Sequence, residues 1–326
     1  MPKTCSEARH RLHLHGPTMG TRWAVSVDVG PHLDTAHLRQ ALADAVDEVD
    51  HQMSPWKPAS DLNRLNAQPV GHWLALPAPI LLVLARALEV ARLSAGTFNP
   101  AVGALIDAWG FGAARRAPDP AAIRAAAGEP AALAHVALEL DAPGARARRL
   151  APVRFDLCAI AKGYAVDRMI EVLAAHGVQH ALASLDGELR ALGPQANGEP
   201  WPIAIEAPVA GQRRTHGVIE LEDLAIATSG NYRHFLDIGG QRLSHLIDPR
   251  AGAPVRHALA SVTVLARTCM DADAWATALL VAGPAEGFEL ARRLRLDALF
   301  LLRHDKGWTE IGLGRFAPGS ERDAPA

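Results

Sequence analysis

The sequence predicts an α+β protein in which helices pack on sheets, and three features predict it. Period-two alternation of apolar and polar residues marks several short strands, some followed by turns and others by helical patterns. Helical patterns stand between them without strict succession, which argues against a regular βαβ array. No internal repeat runs through the 326 residues.

Residues 22–29 (Arg22, Trp23, Ala24, Val25, Ser26, Val27, Asp28, Val29) alternate as an early strand with one buried face. Asp34 is placed to cap a helix whose apolar positions Leu38, Leu42, Val46, Val49 and Met53 step by four and three. A second helix follows Pro79, runs through Leu84 and Leu88 to Leu93, and stops near Gly96. Residues 113–150 are rich in Ala, Pro and Arg and read as a connection with one short helix after Asp119 and Pro120. A central block, residues 155–164, begins as a strand end and becomes a helix carrying Val166, Ile170 and Leu173, closed by Gly177. Strands are expected at 181–185, 203–206, 218–221 and 262–265. A helix over 272–281 is stopped by Gly283 and Pro284, and a last helix (288–294) and strand (298–302) follow. The polar tail from Pro318 reads as disordered.

Composition narrows the function classes. With 49% hydrophobic and 21% charged residues the chain is an ordinary globular one of one large domain or two. Lys and Arg number 33 against 35 Asp and Glu, a formal charge of -2, so nothing supports phosphate-backbone binding and nucleic acid is not an expected partner. The three cysteines, Cys5, Cys158 and Cys269, are far apart, which argues against a disulfide framework and a cysteine-based zinc site. No apolar run is long enough to span a bilayer, and the first twenty residues lack the core of a signal peptide. A cytoplasmic protein is therefore expected, with a periplasmic one the alternative if the start is misassigned.

Common signatures are missing. No GxGxxG opens a helix, and GxxxxGK[ST], HExxH and GxSxG are all absent. Four positive signals remain, each with a plainer alternative. Asp273 and Thr277, four apart on a helix, put a carboxylate and a hydroxyl on one face where they can share a hard cation; alternatively Asp271 and Asp273 merely favour a positive helix end. Asp156 and Lys162 bracket a turn into a helix start, suited to an anion, or form a capping acid beside a solvated lysine. His245, entering the turn Leu246, Ile247, Asp248, Pro249, is either a general base or a structural histidine. Thr228, Ser229 and Gly230 pair hydroxyls with a permissive glycine, as ligand loops do and as tight turns do.

Taken together and in order, these segments resemble one family, the FAD:protein FMN transferases or ApbE-type flavin transferases. The resemblance begins at Met19, Gly20 and Thr21. It includes Met53, Ser54, Pro55 and Trp56 with residues 60–66 (Ser60 to Asn66), and then residues 96–103 (Gly96, Thr97, Phe98, Asn99, Pro100, Ala101, Val102, Gly103) with Trp109 to Gly112. It continues through residues 156–167, 227–232, 244–249 and 272–279. The resemblance implies mixed and antiparallel sheets packed with helices in an ApbE-like, T-fold-like architecture. It implies an N-terminal extension over 1–18, a transferase domain of two interleaved α/β lobes over 19–317, and a tail over 318–326.

The activity implied is cleavage of FAD with Mg²⁺, attachment of FMN by a phosphoester to a Thr or Ser of an acceptor flavoprotein, and release of AMP. Carried over by position, Met19, Trp56, Thr97, Phe98, Asn99, Asp156, Lys162, Ser229 and Ile247 are implied FAD contacts. Ala159 (through its carbonyl), Asp273 and Thr277 are implied metal ligands, and His245 with Asp273 the catalytic pair. Departures from the family pattern are Cys158 and Ala159 in place of small glycines, Asn99 in place of an aspartate, and Asp186 in place of a glycine. Alternative readings are an FAD pyrophosphatase giving FMN and AMP, a non-catalytic FAD-binding module, and a serine hydrolase acting through Ser229.

Overall fold

The computed structural model describes residues 10–30, 32–114, 117–127, 133–209, 211–212, 214–232, 235–238, 241–305 and 307–318. Strands β1 (His10–Thr18) and β2 (Thr21–Val29) open the chain as an antiparallel hairpin. The segment expected as an extension thus supplies, from His10, an edge strand of the main sheet. Arg11, His13 and His15 face outward and Leu14 inward, so a charged, histidine-rich outer face conceals the strand's short apolar alternation. Helix α1 (Thr35–Met53) follows, with the Asp34 carboxylate accepting from the N–H groups of Ala36 and His37. It buries Leu38, Leu42, Val46, Val49 and Met53, the stripe its spacing predicts.

Next come α2 (Asp61–Ala67), β3 (Leu74–Ala75), α3 (Ala78–Leu93), α4 (Gly103–Ala108), α5 (Pro120–Ala127), α6 (Ala134–Ala137), β4 (Leu138–Asp141) and β5 (Arg146–Arg149). The helix after Asp119 is the expected one. However, α6, β4 and β5 occupy what reads as connection, and β5 pairs with both β4 and the distant β3 in a small antiparallel sheet. Tertiary contacts hold this part: Ala134, Ala137, Leu138 and Ala147 join the main core.

The second half comprises α7 (Ala161–Ala175), β6 (Ala181–Leu185), β7 (Glu188–Leu192), β8 (Trp201–Glu206), β9 (Thr215–Leu221), β10 (Ala225–Gly230), β11 (Phe235–Ile238), β12 (Gln241–Ser244), β13 (Ile247–Asp248), β14 (Ala253–Pro254) and β15 (Leu259–Ala266). It ends with α8 (Cys269–Leu294), β16 (Asp297–His304) and β17 (Gly307–Leu313). Two expected helices are here one element, α8, interrupted only at Gly283, whose φ of 81° and ψ of 179° only glycine adopts readily. Pro284 then starts the second segment, where its missing N–H costs nothing. β17 is not expected, because Thr309, Glu310 and Ile311 are exposed in a row and its other residues are only half-buried, so no alternation marks it. The disordered tail expected from Pro318 lies, beyond that residue, outside the described residues, as does Cys5.

Eight strands form the main sheet in the order β1-β2-β6-β7-β10-β15-β16-β17, antiparallel throughout. Alternation along each strand divides the core. On β16, Ala298 and Phe300 face the helix layer, which includes α1, α7 and α8, while Leu299 and Leu301 face the β8–β9 hairpin and its Trp201, Ile203 and Ile205. Among the described residues no helix is long and apolar enough to cross a membrane.

One ion pair ties the edge of the sheet to the turn before β8. Arg11 donates through Nε and Nη2 to the two Asp28 oxygens at 2.7 Å each, Ala196 N–H adds a third bond at 2.9 Å, and the guanidinium lies over the Trp201 ring. The bond from Arg11 holds the Asp28 carboxyl below its usual range. The sign follows: a depressed folded value gives stability that is complete above the ordinary carboxylate pKa of about 3.9 and is lost as pH falls through the lower folded value. Asp28→Asn is expected to cost about 1–3 kcal/mol at neutral pH in urea unfolding. That deficit should shrink once acid neutralises the wild-type carboxylate, and a deficit constant with pH would contradict the assignment.

Candidate active site

The start of α7 and the start of α8 face each other, and the local sequence explains why they meet so closely. At Gly163 a Cβ would stand 2.3 Å from the Cys269 carbonyl oxygen and 2.8 Å from Asp273 Cβ, so only glycine permits the approach. The first N–H groups of a helix have no partner within it. Here Gly163 N–H donates to Asp273 Oδ2 at 3.0 Å, and not to the Ala159 carbonyl four residues earlier.

Asp273 is only 4% exposed. Burial first, and the negative charge of Glu188 second, push its carboxyl up to about 7. Lys162, in the same first turn of α7, places Nζ 2.6 Å from Glu188 Oε1 and 3.7 Å from Asp186 Oδ2. Burial lowers the Lys162 ammonium, but the charges of Glu188 and Asp273 outweigh it and the net direction is upward. Thr277 stands one turn beyond Asp273, and its Oγ1 is 2.9 Å from Ser229 Oγ at the end of β10. Thr228 and Thr263 form a second hydroxyl pair at 2.8 Å, across β10 and β15. Three carboxylates, one ammonium and adjacent hydroxyls therefore converge on two helix starts.

The structure brings together Lys162, Ser229, Asp273 and Thr277, with Ala159 in the turn that precedes α7. Asp156 anchors that turn: its carboxylate accepts from Cys158 N–H at 2.8 Å and its own N–H donates to Pro100 O at 2.8 Å. Burial raises the Asp156 carboxyl. Thr97, Phe98 and Asn99 are buried beside it in the loop before α4. Thr97 Oγ1 donates to Ser94 O, Phe98 N–H to Ser94 Oγ, and Asn99 Oδ1 accepts from Ala101 N–H. Those side-chain bonds of Thr97 and Asn99 help fix the course of the loop.

Met19 and Trp56 stand instead at α1. Met19 occupies the β1–β2 turn with a φ of 44° and lines a cavity of about 430 Å³ with Thr18, Thr21, Asp47 and Asp50. Trp56 is 48% exposed, an unusual setting for so large an apolar ring, and its neighbour Lys57 is tied to Asp50 at 2.7 Å. His245 is half-buried between β12 and β13, and Ile247 is buried in β13, which packs on α8. Trp109 Nε1 donates to Gly252 O at 2.9 Å and joins the α4 region to the β13–β14 turn.

Sequence reasoning missed Glu188, Asp167 and Arg190. Asp167 accepts from the Cys269 and Met270 N–H groups at 2.8 and 2.9 Å and from Arg190 Nη1 at 2.6 Å. The available signal was the spacing of Glu188 and Arg190, two apart on a strand and so on one face. Among the described residues no group of three or more His, Cys, Asp or Glu side chains is placed to hold a metal ion. A set of one carboxylate, one hydroxyl and one carbonyl is the kind a hard cation takes, leaving positions for ligand oxygens.

A buried carboxylate flanked by a lysine and a pair of hydroxyls at two facing helix starts defines a site suited to phosphate groups and a hard cation. Comparisons with known proteins give the family. The ApbE family profile matches residues 19–300. An FAD:protein FMN transferase of Vibrio cholerae is 34% identical over 322 residues, covering 96% of this chain and 94% of that protein. One from Haemophilus influenzae is 34% identical over 311 residues, covering 93% and 90%. The solved structure of the flavin transferase ApbE from Vibrio cholerae matches with a TM-score of 0.85 at 34% identity, over 94% of this chain and 98% of that one. The chain belongs to the ApbE family.

Proposed function

We propose that the protein is an FAD:protein FMN transferase that moves FMN from FAD onto a Thr or Ser hydroxyl of an acceptor flavoprotein and releases AMP. The observation that carries this reading is the centre at the two helix starts, where Asp273, buried, is held by Gly163 with Thr277 one turn away. Asp273, Thr277 and the Ala159 carbonyl would hold Mg²⁺. Their fit rests on the Asp273 carboxyl itself, which burial disfavours as an anion and a bound cation would favour. When bound, Mg²⁺ neutralises charge that gathers on the pyrophosphate as it is attacked.

This chain's residues do the rest. Lys162 adds positive charge beside the phosphates, and the backbone of the 97–99 loop and Asp156 shape the pocket. His245 takes the proton from the acceptor hydroxyl as its oxygen bonds to the FMN phosphorus, while the pyrophosphate P–O bond breaks and AMP departs. Incubation with FAD, Mg²⁺ and a candidate acceptor should raise the acceptor's mass by one FMN residue, with AMP formed in equal amount. Release of FMN and AMP at the same rate without acceptor would instead mark a pyrophosphatase.

Two variants test the assignments. His245→Ala is expected to bind FAD normally yet transfer FMN roughly 100-fold more slowly, the lower range for loss of a general base. Parallel loss of Tm and FAD affinity would mark the histidine as structural. Trp56→Ala is expected to weaken FAD binding through a lost aromatic platform worth about 0.5–1.5 kcal/mol beyond area burial. A platform holds ground state and transition state alike, so turnover at saturating FAD should change little. A large fall in turnover with unchanged FAD affinity would exclude stacking.

A further inference from the structure

Strand β7 and helix α7 are joined by two ion pairs in register. Glu188 meets Lys162, and Arg190, two residues on, meets Asp167, five residues on from Lys162. Two residues of strand span about 6.8 Å and five residues of helix about 7.5 Å, so the two ladders match when helix and strand run the same way. Asp167 then does something the first pair does not. Each of its oxygens accepts a backbone N–H of α8, from Cys269 and from Met270, the first two residues of that helix. A carboxylate at this end is favoured by the helix dipole as well as by the two bonds.

Helix α8 already has a cap of its own. Thr268 Oγ1 accepts from Asp271 N–H at 3.2 Å. Thr268 serves only one of the first N–H groups, so Asp167 completes the helix end, and because it comes from another helix it also attaches that end to α7. Four residues earlier on α7, and so on the same face, Gly163 N–H bonds Asp273. Asp167 and Gly163 hold α8 at two points one turn apart on each helix, which leaves neither sliding nor rotation of α8 free.

We propose that Asp167 is a positioning residue: by seating the first turn of α8 on α7 it sets where Asp273 and Thr277 stand toward the divalent cation. The inference rests on the metal reading proposed above.

The test is Mn²⁺ affinity of the FAD-loaded protein without acceptor, read from the electron paramagnetic resonance signal of free Mn²⁺, with Tm measured beside it. Asp167→Asn keeps the shape but loses the charge and turns one acceptor into a donor. It is expected to raise the Mn²⁺ dissociation constant at least roughly tenfold, the range seen when a partner of a metal ligand is lost. Thr268→Ala, which removes only the cap that belongs to α8 itself, should lower Tm and leave Mn²⁺ affinity unchanged. A folded Asp167→Asn protein that binds Mn²⁺ like wild type overturns the inference. So does an equal loss of affinity in Thr268→Ala, because order at the helix end would then suffice. Asp273→Ala with unchanged Mn²⁺ binding overturns the metal reading itself, a result distinct from the other two. If Asp167→Asn does not fold, Arg190→Gln loosens Asp167 while keeping its carboxylate. A weaker Mn²⁺ affinity is expected there too, and an unchanged one counts against the inference.

Discussion

Replacing Asp273 by alanine is expected to lower flavin transfer by roughly a thousandfold or more, with the protein still folded. The figure follows from the chemistry. Asp273 is the single charged group among the proposed metal ligands, and a metal's stabilisation of transition-state charge is worth several kcal/mol, about 4 of which correspond to a thousandfold in rate. The fold should tolerate the change because a buried carboxyl pushed up to about 7 gains little from being there without a cation. Its one hydrogen bond among the described residues comes from Gly163 N–H, and leaving that buried donor unpaired costs about 1–3 kcal/mol, less than the stability of a domain. Thr277→Ala should be milder, since a neutral hydroxyl is replaceable by water. Steady-state transfer rates and thermal melts on the same preparations decide the matter, and wild-type activity in Asp273→Ala would remove the metal assignment.

Gly163→Ala is expected to damage both stability and activity. The added methyl would stand 2.3 Å from the Cys269 carbonyl oxygen, a backbone atom that cannot turn away. Ordinary contact is about 3.5 Å, so the two helices must part by roughly 1 Å. Overpacking of this kind costs about 1–3 kcal/mol. A shift near 1 Å at the catalytic groups costs on the order of a hundredfold in rate. Both losses should appear together, in the melt and in the transfer rate. An alanine variant of normal stability and activity would show that α7 and α8 do not need this approach.

Legibility in the sequence follows how local each feature is. The cap at Asp34 and the stripe from Leu38 to Met53 depend on neighbours within one helix, and both are present as expected. Asp273 and Thr277 are visible for the same reason, as a carboxylate and a hydroxyl one turn apart. Strand β1 is not legible, because Arg11, His13 and His15 dominate its outer face and few inward apolar residues remain to count. Strands β4 and β5 hide in a stretch rich in arginine, where Arg146 and Arg148 bond Asp141 and Glu139 and lie over the Trp73 ring beside β3. Within the site, Gly163, Glu188 and Asp167 matter only through residues far along the chain. Gly163 reads as an ordinary, mildly unfavourable helix residue until Cys269 is seen beside it. Chemistry that arises between elements leaves a trace in composition but none in spacing.

The Lys162–Glu188 pair has a consequence for descent. Glu188 is almost fully buried, and removing the lysine alone would strand its charge, at a cost of roughly 3 kcal/mol, whereas exchanging both for apolar or small residues together can be nearly neutral. A lineage can therefore change the two positions only in step, or through an intermediate that has already neutralised the acid. Distant members of the family should keep both residues or neither, so position 188 ought to covary with position 162 more tightly than with the residues that adjoin it in the chain.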